Sequence, residues 1–302
     1  MDQSPFMQDT LTLRAHAKVN LALAIGKAST PGGLHRICSW MHAIELSDRI
    51  EIRPLSKGQE SVYAIGWAQP NKPDEPVDWD VEQDLAAGAH KLLEAHVGHQ
   101  LGAAIRVSKS IPAGGGLGGG SSDAASVLMG INTLFDLQLD QTTLIGLAME
   151  LGSDIPFFLD PGKQIPRAAI VEGFGDTITR VETNCSGEPI TLIFPGFGCH
   201  TGRVYQAFDA QADADHAMDA TKVKMLASER RVNPRGLLND LASAAMKVAP
   251  ELGEIQRALQ STLGEPVHVS GSGSTLFVLG SVEPDQIAQA CPGCSIVQTR
   301  LC

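Results

Sequence analysis

The chain has 302 residues, 43% of them hydrophobic and 19% charged, which suits a globular protein with a sizeable core and excludes a disordered chain. Its formal charge of -11 argues against a nucleic-acid partner gripped through its phosphates, so any phosphate site must be built from local donors. Met1 to Thr10 shows no basic region followed by an apolar run, no segment reaches the ~18 apolar residues of a membrane helix, and six scattered cysteines fit a reducing compartment. We therefore expect a cytoplasmic protein with no membrane partner.

In chain order, the first element is an alternating strand from Leu13 to Ile25, apolar at every odd position. Its even positions begin polar and turn apolar at Ala22, so the second half reads as buried on both faces. Lys18 and Asn20 share the polar face. A turn around Pro31-Gly32-Gly33 is expected next, then a strand over Arg49–Pro54. Gly66 to Asp80, with Trp67, Pro70, Pro73, Pro76, Trp79 and several acids, reads as an exposed loop. A helix follows over Val81–Ala95, and Ala104–Ser108 is a strand leading into a glycine run.

Beyond that run, Ala124, Val127, Leu128, Ile131, Leu134 and Phe135 recur at helical spacing, so a helix should begin near Ser121. A second helix over Thr142–Leu151 should stop at Gly152 in the left-handed conformation. Strands are expected at Ala168–Val171, Ile178–Val181, Ile190–Phe194, Pro266–Leu279 and Ser295–Thr299, and helices at Leu238–Val248 and Glu251–Leu263. The order implies an α+β protein of two domains, 1–187 and 188–302, meeting near Gly187.

Three motifs carry chemistry. The strongest is the run Pro112, Ala113, Gly114, Gly115, Gly116, Leu117, Gly118, Gly119, Gly120, Ser121, Ser122. Six glycines in seven positions let the backbone approach a ligand closely, and the following helix adds unpaired N–H groups and a positive dipole end. A flexible linker would not stand between a strand and a well-patterned helix. The run lacks the GK[ST] ending of a Walker A loop, so phosphates bound there need a cation from elsewhere, and Lys18 is the candidate. The second motif places Asp154 between a helix-ending glycine and Ile155-Pro156, where it is either a functional carboxylate or a helix N-cap. The third is the Gly/Ser turn Val269–Thr275, which by itself reads as a hairpin. Cys291 and Cys294 have the spacing of half a metal or redox site, although a turn around Pro292-Gly293 accounts for them.

Taken together, Lys18-x-Asn20, the run Pro112–Ser122, Gly152-Ser-Asp-Ile-Pro156, Glu172-Gly-Phe-Gly175, Asn239-Asp240 and Gly271-Ser-Gly273 resemble the GHMP kinase superfamily over nearly the whole chain. The resemblance implies an N-terminal ATP-binding domain like ribosomal protein S5 domain 2 and a ferredoxin-like C-terminal domain, with ATP and substrate meeting in a cleft. It implies Asp154 as catalytic base, Lys18 as its cationic partner, ATP on the glycine run, and Mg²⁺ arriving with ATP through unassigned ligands. Among the superfamily's branches it points to a cytidyl diphosphate-linked sugar alcohol as substrate, contacted by Asn20, Leu34, His35, Thr201, Tyr205, Gly271 and Gly273. Two positions depart from that branch's usual pattern: Leu34 stands where an aromatic ring is usual, and Asp84 where asparagine is usual. The alternatives are another GHMP small-molecule kinase, acting on a sugar, mevalonate-like or amino-acid alcohol, and a non-catalytic nucleotide-binding protein on the same fold.

Overall fold

The computed structural model describes residues 10–28, 33–69, 74–211, 216–229 and 231–302. The amino-terminal reading up to Asp9, the turn at Pro31-Gly32, and Pro70 and Pro73 of the expected loop lie outside the described residues. The chain forms two compact units that are not contiguous in sequence. The first comprises Met1–Ala17, Ser47–Ile111 and Gly118–Pro166, and the second Lys18–Leu46, Pro112–Leu117 and Arg167–Cys302. Two long strands, β1 (Leu11–Ala28) and β2 (His35–Pro54), contribute residues to both.

In the first unit the strand order is β4-β3-β5-β2-β1, with β3 at Val62–Trp67, β4 at Glu75–Pro76 and β5 at Ala103–Lys109. β5 runs parallel to β3, with Ala104 opposite Val62, and antiparallel to β2, with Ser108 opposite Arg49. Period-two alternation along β5 buries Ala103, Ile105, Val107 and Lys109 on one side. Burial of Ile105 and Val107 contributes about 1.5–3 kcal/mol each. The helices are α1 (Leu85–Val97), α2 (Gly119–Leu134), α3 (Gln141–Leu151) and the single turn α4 (Ile155–Phe158). α1 packs on α2 and α3, and α2 on α4.

In the second unit, β9 (Leu238–Asn239) lies parallel to β1, with Leu238 opposite Ala22. The first half of β2 pairs antiparallel with β6 (Ala169–Gly173), which pairs with β7 (Thr177–Arg180). A separate four-stranded antiparallel sheet has the order β10-β11-β8-β12, formed by β8 (Pro189–Phe194), β10 (His268–Val269), β11 (Leu276–Leu279) and β12 (Ser295–Arg300). Its helices are α5 (Thr201–Asp209), α6 (Ala220–Ser228), α7 (Ala242–Val248), α8 (Pro250–Leu263) and α9 (Pro284–Ala290).

Several expectations need correction. The strand expected at Arg49–Pro54 is the end of β2, whose first half reads as a run of buried residues rather than an alternation. The helix expected over Val81–Ala95 is broken at Asp84. A 3-10 turn covers Val81–Gln83, and the Asp84 carboxylate caps α1 by accepting the Ala86 N–H. Gly152 ends α3 with φ of 173°, which is extended backbone and not a left-handed stop. Within the loop expected from Gly66, Trp67 closes β3, and Trp67 and Trp79 are half-buried in an edge-to-face pair at 5.8 Å. Leu238 and Asn239 are strand rather than helix, and a turn separates β10 from β11. α5, α6 and α9 were not expected. Cys291 and Cys294 are joined in a disulfide across a turn closed by the Cys294 N–H and the Cys291 carbonyl, with no metal-binding group of three or more His, Cys, Asp or Glu among the described residues.

Candidate active site

In the second unit, β1 turns Lys18 and Asn20 to the same face, and both are buried. The Lys18 ammonium donates to Asn20 Oδ1 at 2.6 Å, and Asn20 Nδ2 donates to Ser39 Oγ at 2.8 Å. Ser39, on β2, donates in turn to the Ala22 carbonyl. Asn20 is thereby oriented with its oxygen toward the lysine, and the lysine is held by hydrogen bonding at a spot from which water is excluded.

Two loops close on this pair. The first half of the glycine run turns its carbonyls onto protein donors. Gly115 O accepts the Thr275 N–H at 3.2 Å, Gly116 O accepts Ser270 Oγ at 3.1 Å, and Leu117 O accepts the Lys18 N–H at 2.9 Å. Gly116 has φ of +76°, and a Cβ at that position would overlap the Ser270 carbonyl oxygen, so only glycine fits. The turn at Gly271 is the other wall, since a Cβ there would stand 3.2 Å from Asn20 Oδ1 and 3.4 Å from Lys18 Nζ. That turn is held by Asn239, whose Nδ2 donates to both the Val269 and Gly271 carbonyls at 2.8 Å while its Oδ1 accepts the Leu241 N–H. Its neighbour Asp240 accepts the Ile25 N–H at 2.9 Å, tying the same segment to β1. Burial pushes the Asp240 carboxyl above its ordinary range.

The predicted substrate residues continue from there. Thr201 and Tyr205 stand one turn apart on α5, the spacing that puts two side chains on one face. Thr201 Oγ1 lies 3.0 Å from Ser272 Oγ, which joins α5 to the Gly271–Gly273 turn. Tyr205 meets the His35 ring at 4.9 Å. His35 is buried, with Nδ1 2.9 Å from the Gly26 carbonyl and Nε2 3.3 Å from Asp209. Leu34, beside it in the chain, is 70% exposed. Lys18, Asn20, Gly271, Thr201, Tyr205 and His35 are thus linked step by step within one unit.

In the first unit, the second half of the run starts α2. Gly118 is the N-cap residue, with φ of +70° and no side-chain cap, so the N–H groups of Gly119, Gly120 and Ser121 have no intrahelical acceptor. Donors and a dipole so arranged can receive an anion. Ser122 is buried one turn in. Asp154 occupies the N-cap position of α4, and its side chain makes no capping bond to that turn. Asn239, Ser270 and Thr275 lie in motifs the sequence offered but had no assigned role, and they act by orienting others, as Ser39 does; Asp48, Lys109 and Asp123 likewise had no assigned role. Of the cations without an expected role, Arg36 is exposed with its guanidinium 6.0 Å from the Phe174 ring, and Arg203 is exposed.

The sequence profile of the GHMP kinases N terminal domain matches residues 84–162. A 4-diphosphocytidyl-2-C-methyl-D-erythritol kinase of Polynucleobacter asymbioticus is 33% identical over 285 residues, covering 93% of this chain and 87% of the relative. The enzyme of the same name from Pelotomaculum thermopropionicum is 34% identical, covering 89% and 88%. Among solved structures, a 4-(cytidine 5'-diphospho)-2C-methyl-D-erythritol kinase superposes with a TM-score of 0.68 at 28% identity, covering 96% of this chain and 99% of that one. A homoserine kinase from Cytophaga hutchinsonii, 17% identical with a TM-score of 0.66, shares the fold. The fold is that of a GHMP kinase, a class of ATP-dependent enzymes. Within that class, the chain belongs to the 4-diphosphocytidyl-2-C-methyl-D-erythritol kinase family. Among the described residues no helix is long and apolar enough to cross a membrane.

Proposed function

We propose that this protein uses ATP to phosphorylate the 2-hydroxyl of 4-diphosphocytidyl-2-C-methyl-D-erythritol, a step of non-mevalonate isoprenoid precursor biosynthesis. The observation that carries the reading is the match to enzymes of that name over about nine-tenths of each chain. In support of it, the residues expected to contact the substrate, Asn20, His35, Thr201, Tyr205, Gly271 and Gly273, are linked around a buried ammonium.

The chemistry follows from the residue types. The alcohol oxygen attacks the γ-phosphorus of ATP, the bond to the β-phosphate oxygen breaks, and ADP leaves. Asp154 accepts the hydroxyl proton, and Lys18 stabilises negative charge growing on the attacking oxygen. The N–H groups at the start of α2 hold phosphate oxygens. Mg²⁺ would fit this donor set, since it keeps several waters and needs few protein oxygens beside the substrate phosphates; the hydroxyls of Ser121 and Ser122 would help to hold it, and it would offset phosphate charge. Leu34 supplies an apolar wall for the cytosine ring opposite Tyr205, and the cytoplasm is the proposed location.

The test is ADP release by purified protein with 4-diphosphocytidyl-2-C-methyl-D-erythritol. Turnover is expected, and it should collapse in Asp154→Asn and Lys18→Met while ATP still binds Asp154→Asn. Turnover only with a different alcohol would reassign the substrate, and near-normal kcat in Asp154→Asn would remove that carboxylate from the role of base.

A further inference from the structure

The first unit contains a buried ionic cluster that the phosphoryl-transfer chemistry does not use. Lys109 closes β5, Asp48 lies on β2 and Asp123 on the first turns of α2; their relative exposures are 4%, 0% and 0%. Asp48 Oδ2 accepts from the Lys109 ammonium at 2.7 Å, while its Oδ1 accepts the N–H groups of Ser110 and, at 2.8 Å, Ile111. Those are the last two residues before the glycine run. The same ammonium donates to Asp123 Oδ2, and Asp123 follows directly on Ser122, the last residue of the run. The two ends of the eleven-residue stretch Pro112–Ser122 are therefore fastened to one cation.

Stability does not account for this arrangement. Three buried charges cost several kcal/mol each in desolvation, and apolar side chains of similar size commonly do as well or better. Burial pushes the Asp123 carboxyl well above its ordinary range, with Lys109 opposing and Asp48 and Asp84 adding to the rise, and Asp123 Oδ1 has no hydrogen-bond partner among the described residues. Burial works against the Lys109 charge too, yet Asp123 and Asp48 together raise its affinity for the proton. What the cluster supplies is direction. A run with six glycines has almost no side chains to pack and much backbone freedom to lose, so its geometry depends on how its ends are held.

We propose that Asp48, Lys109 and Asp123 are positioning residues, a clamp that sets the two ends of the glycine run at the spacing the ATP phosphates require; this rests on the kinase reading above. The clamp acts through Ile111 and α2 and touches neither substrate. It tunes nucleotide affinity and leaves the alcohol site alone.

The decisive variant is Lys109→Met combined with Asp123→Leu, which leaves Asp48 as the single charge and so keeps the cluster's formal charge at the wild-type value. Amide hydrogen exchange across Pro112–Ser122, measured on the intact chain without ligand, should quicken about tenfold or more. The KM for ATP should rise about tenfold, while the KM for the cytidyl alcohol stays within about twofold. Unchanged loop exchange and unchanged KM for ATP in this folded variant would overturn the clamp. Should the double variant not fold, Asp123→Asn is read the same way: faster loop exchange supports the proposal, and wild-type exchange refutes it. If the wild-type chain fails to phosphorylate the cytidyl alcohol, the kinase reading falls, and the exchange experiment still decides the clamp.

Discussion

Gly116→Ala is the sharpest probe of how closely the glycine run meets the Ser270–Thr275 turn. At φ of +76°, an alanine pays about 1–2 kcal/mol for left-handed backbone. Its Cβ would overlap the Ser270 carbonyl oxygen and stand 3.1 Å from the carbonyl carbon, so backbone, not a pliable side chain, must yield. Moving the two segments apart breaks the bond from Ser270 Oγ to Gly116 O, worth about 0.5–1.5 kcal/mol. The expected loss is about 1.5–3.5 kcal/mol. Gly146→Ala is the internal control. Gly146 lies exposed within α3 with nothing near its Cβ position, and alanine there should gain about 0.5–1 kcal/mol. Urea unfolding followed by circular dichroism measures both, and ATP titration of the folded proteins should show weakened binding for Gly116→Ala alone. Equal unfolding midpoints for the two variants, with unaltered ATP binding, would refute the close approach.

Other outcomes follow from the same geometry. Asn239→Leu strips the donors from the Val269 and Gly271 carbonyls and should destabilise by about 1–3 kcal/mol, read by thermal melting, with kcat falling as the turn beside Lys18 loosens. Leu34→Tyr restores an aromatic wall worth about 0.5–1.5 kcal/mol, so the KM for the cytidyl alcohol should drop by up to about tenfold and that for ATP should not move. Asp240 is held above the ordinary carboxylate value of 3.8 by burial. The folded state therefore keeps this proton after the unfolded chain has released it. The stability it contributes is complete below that ordinary value and is lost as pH rises through the folded one. Asp240→Asn lacks this slope. Its stability relative to wild type should increase over that window and level off above it, and a pH-independent difference in denaturation midpoints would contradict the assignment.

Much of the site was legible in the chain because local chemistry wrote it there. A lysine and an asparagine two apart on an alternating strand must share a face, and Lys18 and Asn20 do. Six glycines between a strand and an amphipathic helix predict a helix start at the end of the run, and α2 begins at Gly119 with Gly118 as its N-cap residue. Thr201 and Tyr205 are one helical turn apart, a signal that was present but unused because α5 has few apolar residues to mark it. Asp84 shows the opposite case: the helical pattern around it continues, and only its capping bond to Ala86 reveals that the helix restarts there.

Sequence alone determined the composition-level class, the glycine run between a strand and a helix, and the shared face of Lys18 and Asn20, because those depend on residue type and short-range period. The partners of those residues were decided only by folding. Asn239 lies far along the chain from Gly271 and farther still from Lys18, yet it holds the Gly271 turn that stands beside the lysine. By sequence Lys109 could equally touch a phosphate or face water, and only folding brings Asp48 on β2 and Asp123 on α2 against it. Period and propensity act over a few residues, whereas burial and hydrogen-bond pairing are settled by which distant segments the core draws together.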